Sequence, residues 1–536
     1  MDEGRRGDRE YGTLPRLVRG AAGRYGDAVA IVDGEEALSF ARLATEVTHA
    51  TRALMAAGVE RGDRVAIWAP NGWRWIVAAL ATHSAGAALV PVNTRYKGEE
   101  AAHLLGRSGA RVLFTVTDFL GTDYVSLLRS SGAALPSLER VVVFAGPVPA
   151  ASAPACTAWD AFVAAGERVS AADAEARALS VAPDDTSDIM FTSGTTGQPK
   201  GAVCTHAQTL RAFRDWADIV GLRAGDRYLV ALPFFHSFGY KAGWLVCLMM
   251  GATSYPLPVF DVNAVVERVE RHAITVLPGP PSLYQSILAR TDVPAGRLAS
   301  LRLAVTGAAS IPDDLVPRMR AELGFDTVLT GYGLTEASGV ATLCRDGDDA
   351  QTVATTSGRA IPGVDVRVVD AEGRETPRGT AGEVVISGYT VMKGFFDDAR
   401  STADAFDSHG RLRTGDVGVM DARGYLRITD RLKDMFIVGG FNAYPAEIES
   451  VMLRHEAIAQ VAVVGAPDER LGEVGVAFVL PRPGRTVDAE EVIAFCRERM
   501  ANFKVPRRIV PVDALPTNAT GKILKYELRE RARGTT

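Results

Sequence analysis

A chain of 536 residues exceeds what one hydrophobic core usually supports, so at least two domains are expected. Apolar residues at 47% and charged residues at 23% are the balance of a globular protein and exclude a disordered chain. A net charge of −5 at pH 7 argues against a general nucleic-acid binder, which needs a basic excess to neutralise phosphates.

Cys156, Cys204, Cys247, Cys344 and Cys496 stand without paired spacing, which fits neither a disulfide framework nor a zinc ribbon and points to a reducing, cytoplasmic setting. The opening MDEGRRGDREYG has no apolar run, and the most apolar stretch, around Trp244 to Ala252, is far shorter than the roughly 18 residues of a spanning helix. Neither a targeting segment nor a membrane partner is expected.

In chain order, short apolar runs alternate with amphipathic stretches from about Ala21 to Arg140; Arg64 to Pro70 reads as a strand and Trp73 to Ala85 as a helix. The alternation predicts αβ units around a largely parallel sheet. Residues 145–185, rich in Ala, Pro and Ser, read as a connecting excursion outside the core.

A strand over Ile189 to Phe191 then runs into TSGTTGQPKG, Thr192 to Gly201. Gly194, Gly197 and Gly201 permit close backbone approach and positive φ. Amide hydrogens and the hydroxyls of Thr192, Ser193, Thr195 and Thr196 can cradle phosphate oxygens, and Lys200 adds a point charge. A Walker A loop ends in Gly-Lys-Ser/Thr, whereas Pro199 precedes Lys200 and Gly201 follows it, which disfavours an ordinary P-loop NTPase. Alone, the motif says only that phosphate is bound.

A second αβ series follows, with strands expected at Arg227 to Leu232, Ile274 to Leu277, Leu301 to Thr306 and Thr327 to Thr330. YGLTE, Tyr332 to Glu336, comes at the carboxyl end of the last, where αβ sheets place ligands. After Gly358, runs such as GEVVISG and RGYLRITD, punctuated by Gly and Asp, predict a small β subdomain. A shorter α+β series begins near DRLKD, Asp430 to Asp434, and ends in a helix over Ile523 to Arg533.

Six motifs stand in one order: TSGTTGQPKG at 192–201, YGLTE at 332–336, TGD at 414–416, DRLKD at 430–434, GGFNAYPAEIE at 439–449 and TNATGK at 517–522. In this the chain resembles the acyl- and aryl-CoA synthetases of the adenylate-forming (ANL) superfamily, over nearly its whole length. The resemblance implies an α/β fold. Residues 1–430 would form a large multi-subdomain N-terminal AMP-binding domain with mostly parallel sheets plus a β subdomain, and 431–536 a small mobile α+β C-terminal domain. It implies ATP, Mg2+ and coenzyme A as cofactors. The reaction would be acid–CoA ligation: acid and ATP give acyl-AMP and pyrophosphate, then acyl-AMP and CoA give acyl-CoA and AMP.

By the same resemblance Tyr332 stacks on adenine, Gly307, Ala308 and Ala309 lie against it, and Thr335 approaches the α-phosphate. Glu336 and Thr192 are similar to the family's magnesium contacts, oxygen donors of the kind that ion prefers. Asp416 would accept hydrogen bonds from the ribose hydroxyls, with Arg431 as a second ribose and phosphate contact. Lys522 would offset the charge that grows in the transition state of adenylation. Lys433 occupies the hinge position about which family members rotate the small domain for the second half-reaction. Gly439, Gly440 and Phe441 would form the strand edge beside the pantetheine tunnel. Plainer roles stay open: Glu336 as a helix-start acid favoured by the macrodipole, Asp416 as a turn residue, Lys433 as a solvated charge.

PFFHSFGYKAG, Pro233 to Gly243, resembles the segment that lines the acid pocket. His236 matches the family's gating aromatic or histidine, though a structural histidine is the alternative; Phe238, Tyr240, Pro280 and Pro281 are candidate walls. No acid occurs between Pro233 and Met250, where amino-acid-activating relatives carry an Asp. The stretch from Pro233 to ITVLPGPPSLYQSIL resembles the ligases of actinobacterial sterol breakdown, which act on the propanoate side chain of a bicyclic indane-dione. Medium-chain fatty acids, aryl acids and a carrier-protein thiol acceptor are alternatives. A nucleotide-binding regulatory relic is opposed by the joint presence of Lys200, Glu336 and Lys522.

Overall fold

Strands that are apolar on both sides must be covered on both sides, and Val112–Thr115 and Ala88–Pro91, buried at every position, set the architecture of the first half. The computed structural model describes residues 6–149, 155–192, 199–290, 292–293, 295–307, 311–312, 314–431, 434–438, 441–468, 471–500, 502–517 and 523–533. Seven strands lie in the order Ala155–Ala158, Arg140–Val143, Val112–Thr115, Arg64–Trp68, Ala88–Pro91, Thr186–Thr192 and Lys200–Thr205. All neighbours are parallel except the last pair, an antiparallel hairpin. The helix Trp73–Ser84 is buried at every position from Trp75 onward, as a helix apolar all round must be.

Arg227–Val230, Thr253–Pro256 and Val29–Asp33 form a second parallel set, closed by Glu36–Ser39. Val276 bridges it to Leu303–Gly307, which runs parallel to Thr327–Tyr332. The expected strand over Ile274 to Leu277 is thus reduced to a single bridge residue. The Pro278, Pro280 and Pro281 that follow lack the N–H needed to extend a ladder.

The expected β subdomain is present as four antiparallel strands, Val364–Val369, Ala381–Gly388, Leu412–Met420 and Leu426–Arg431. Residues 145–185 depart from expectation. Ala155–Ala158 adds an edge strand, and the helix Trp159–Ala164 buries Trp159 and Phe162. The Trp159 ring lies 5.2 Å from that of Phe144. The 3-10 turn Ala165–Arg168 and the helix Ala171–Leu179 follow, and an Ala-rich composition gave these short elements little apolar contrast to show their periodicity.

One continuous hydrophobic cluster runs from Tyr11 to Leu426. The last sheet has its own cores. Ile458–Asp468 and Gly472–Pro481 pair antiparallel, and alternate side chains divide between its faces. Val461, Val463, Ala477 and Val479 point to one cluster and Ala462, Val464, Val476 and Phe478 to the other, where Leu528 of the final helix Lys525–Arg533 is buried. Among the described residues no helix is long and apolar enough to cross a membrane.

Candidate functional site

Thr192 ends one strand of the hairpin and Lys200 begins the other, and the two are paired in register. Ser193, Gly194, Thr195, Thr196 and Gly197 lie outside the described residues. The Thr192 hydroxyl donates to Glu336 Oε1 at 3.3 Å, so two motifs 144 positions apart in the chain meet. Lys200 Nζ lies 5.4 Å from the centre of the Phe395 ring.

Glu336 is held in a single 3-10 turn, Thr335–Ala337, just past the strand Thr327–Tyr332. The amides of Ala337 and Gly339 both donate to Leu334 O at 2.9 Å, and Met392 N donates to Glu336 O at 2.8 Å. Met392 belongs to a segment that also pairs with the outer strand of the hairpin, through Lys393 N to Val203 O and Phe396 N to Gly201 O. Gly333 is required in this turn, since a Cβ there would lie 2.3 Å from Gly339 O.

The Tyr332 hydroxyl donates to Asp416 Oδ2 at 2.5 Å. Asp416 is buried, its amide donates to Thr414 Oγ1 at 3.1 Å, and it faces Arg431 in strand register. Gly307 pairs with Gly331 so closely that a Cβ would lie 2.7 Å from Gly331 O. Ala308 and Ala309 lie outside the described residues, as does the side chain of Arg431. Thr192, Gly307, Tyr332, Thr335, Glu336 and Asp416 therefore surround the carboxyl ends of strands from two sheets, the place where such folds bind nucleotides. The hydroxyl and carboxylate of Thr192 and Glu336 are hard oxygen donors, which fits a magnesium ion shared with phosphate.

Lys522, Lys433, Gly439 and Gly440 lie outside the described residues, and Phe441 is described only as the first residue of the strand Phe441–Ala443. The elements that flank them are tied together. Lys525 Nζ is 2.8 Å from Glu449 Oε1, Arg529 pairs with Asp434, and Ala446 N donates to Asp430 Oδ2 at 2.9 Å.

On the other side of the hairpin, His236 Nδ1 accepts from Phe238 N at 3.2 Å. Desolvation pushes the His236 imidazole down to about 4, so it is neutral at pH 7. Tyr240 is fully buried, stacks on Trp244 at 5.0 Å and shares a 2.9 Å hydrogen bond with His83 Nε2. Phe238 is half-buried and Pro281 starts the helix Pro281–Leu288.

Sequence reasoning passed over Lys241, inside this segment, and Asp188, inside the apolar strand. Both are wholly buried and meet at 2.8 Å. Burial opposes the charge on Lys241, but the Asp188 carboxylate outweighs it and the ammonium ends above its ordinary value. A lysine among apolar neighbours and an Asp in TSDIMFT were the available signals.

The AMP-binding enzyme family matches residues 18–396, and the AMP-binding enzyme C-terminal domain matches 447–522. A 3-[(3aS,4S,7aS)-7a-methyl-1,5-dioxo-octahydro-1H-inden-4-yl]propanoyl:CoA ligase of Rhodococcus jostii is 49% identical over 97% of this chain and 98% of its own length. One of the same name from Mycobacterium tuberculosis is 51% identical over 96% and 97%. Among solved structures, the anthranilate CoA ligase AuaEII with anthranoyl-AMP superposes with a TM-score of 0.88 at 26% identity, covering 97% of each chain.

Proposed function

Since the chain belongs to the family of AMP-binding enzymes, we propose that it is an AMP-forming acid–CoA ligase acting on the propanoate side chain of the methyl-dioxo-octahydroindene acid. The observation that carries this reading is the convergence of Thr192, Glu336, Tyr332 and Asp416 at one set of strand ends, in a chain 49% and 51% identical to two ligases named for that substrate.

In the first half-reaction the substrate carboxylate attacks the α-phosphate of ATP and pyrophosphate leaves. Thr335, at the start of the turn that carries Glu336, is assigned to the α-phosphate. Asp416 and Tyr332 would exchange their mutual hydrogen bond for contacts with ribose and adenine. A magnesium ion held by Thr192 and Glu336 would supply charge neutralisation to the phosphates. Lys522 is assigned to the developing charge at the reacting phosphorus, with Lys200 beside the departing phosphates. In the second half-reaction the thiol of coenzyme A displaces AMP. Residues 1–430 and 431–536 are assigned as the two domains, with Lys433 as their hinge, a reading supported by the separate hydrophobic clusters that end at Leu426 and begin at Phe436. A reducing compartment such as the cytoplasm suits five free cysteines, four of them buried.

The test is pyrophosphate release over a panel of indane-dione, medium-chain and aryl acids, with CoA present and absent. The highest kcat/KM is expected for the indane-dione propanoate, with acyl-CoA formed only when CoA is supplied. A higher value for a fatty or aryl acid overturns the substrate; no acid-dependent pyrophosphate overturns the activity.

A further inference from the structure

Behind the hairpin, the segment Pro233–Gly243 and the two nucleotide-facing elements are joined by buried polar groups that no catalytic role explains. Strand register pairs Asp188 with Cys204 and Thr192 with Lys200. By the two-residue alternation of a strand, Asp188, Met190 and Thr192 share one face with Lys200, Ala202 and Cys204. That face presents Thr192 to Glu336 at one end and Asp188 to Lys241 at the other. The two ends are about 13 Å apart at the rise of a strand, so Lys241 does not touch the phosphates.

The Cys204 thiol lies against the same ammonium and 3.5 Å from Ser338 Oγ. Ser338 is two residues past Glu336, has a φ of 55° and donates to Thr390 O at 2.6 Å. Thr390 leads into the segment that holds the Glu336 carbonyl. Ser187 Oγ donates to Asp188 Oδ2 at 2.7 Å. From the segment itself, Ser237 packs against Gly339 so tightly that a Cβ there would lie 3.0 Å from it. Of the other titratable groups nearby, burial holds the Tyr240 hydroxyl well above its ordinary value and keeps His83 and His206 neutral, pushed down to about 3.

Lys241 sits in a π-turn, Tyr240–Leu245, that Gly243 kinks at φ −96° and ψ −107°; such turns recur at functional sites. A buried ion pair is an inefficient way to gain stability, because desolvation offsets much of the attraction and an apolar pair of equal volume serves as well or better. What the pair does supply is a fixed distance and direction between two elements.

We propose that Lys241 is a positioning residue that couples the acid-binding segment to the nucleotide hairpin and the Glu336 turn. Through Asp188 it sets the strand that ends in Thr192, and through Cys204 and Ser338 it sets the turn that carries Glu336. The carboxylate of a bound acid and the α-phosphate of ATP are thereby held in one frame.

This rests on the acid-activating reading above, and the test separates the two. The measurement is the acid-dependent burst of pyrophosphate release without CoA, whose amplitude counts active sites and whose rate reads their alignment. In the double variant Asp188→Leu/Lys241→Met, which leaves no lone buried charge, the melting temperature and burst amplitude are expected to match the parent. The burst rate is expected to fall at least about tenfold, with KM for ATP and acid changed by less than about threefold, the pattern of misplaced rather than missing contacts. If the double variant does not fold, Asp188→Asn/Lys241→Met, which likewise leaves no lone buried charge, takes its place with the same expectation. Cys204→Ala, with the ion pair intact, is expected to slow the burst about threefold. A parental burst rate in the folded Asp188 variant overturns the proposal. No burst in the parent overturns the acid-activating reading instead.

Discussion

Thr192, Tyr332, Thr335 and Glu336 are partly exposed polar residues, and Thr192 bonds to Glu336 as Tyr332 does to buried Asp416. A few residues behind the hairpin, the segment with Tyr240, Lys241 and Trp244 is wholly buried, a stack of rings around one ion pair. The first region offers groups whose bonds to one another can be exchanged for bonds to a ligand. The second offers none; its contribution is shape and position. Substitutions in the two should therefore fail differently, the first by losing contacts and the second by losing alignment.

The largest contrast is expected from Glu336→Gln, which keeps shape and removes the charge. Adenylation kcat/KM should fall about 10²- to 10³-fold, the usual cost of one electrostatic group in a transition state, with an unchanged melting temperature. Activity within threefold of the parent would remove Glu336 from the site. Next, Lys522→Ala should lose about a hundredfold in acyl-adenylate formation and retain most of the thioester-forming rate from preformed acyl-adenylate. Stopped-flow assay of each half-reaction distinguishes this from equal loss in both, which would sink the assignment.

Asp416→Ala should act chiefly on KM for ATP, raising it about tenfold through two lost ribose hydrogen bonds, with a smaller effect on kcat. An unchanged KM would make Asp416 a structural residue of its strand. The smallest effect on catalysis, and one confined to the buried region, is on stability. His83 and His206 are pushed down to about 3 when folded and titrate near 6.5 when unfolded. Between those values the unfolded chain binds more protons, so stability rises with pH, is complete above about 6.5 and is lost as pH falls towards 3. Each histidine contributes about 1.4 kcal/mol per pH unit in that window. Calorimetry should show the melting temperature falling from pH 7 to pH 5, and His83→Gln should flatten the slope; a level profile in the parent would contradict both assignments.

The motifs of the candidate nucleotide site were legible because their chemistry is local. A glycine- and threonine-rich stretch, YGLTE at the end of a strand and TGD within one each carry their own hydrogen-bonding groups, and their order along the chain suffices to recognise them. The β subdomain after Gly358 was legible for the same reason, as an alternating pattern, and the helix Trp73–Ser84 as a sustained apolar run too long for a strand. The strand expected at Ile274 to Leu277 is cut to a bridge at Val276 because the prolines that follow it act on the ladder rather than on the apolar pattern. The excursion at 145–185 hid Trp159, whose burial depends on Phe114 within one strand and Phe144 just past another.

From the linear chain alone came the αβ alternation, the glycine- and threonine-rich motif and the family, because hydrophobic period and side-chain chemistry are properties of neighbours in sequence. That Thr192 reaches Glu336, that Tyr332 holds Asp416 and that Lys241 finds Asp188 are facts of assembly. They join residues tens to more than a hundred positions apart, and a charge or a hydroxyl carries no mark of its partner until sheets and helices pack and water is excluded.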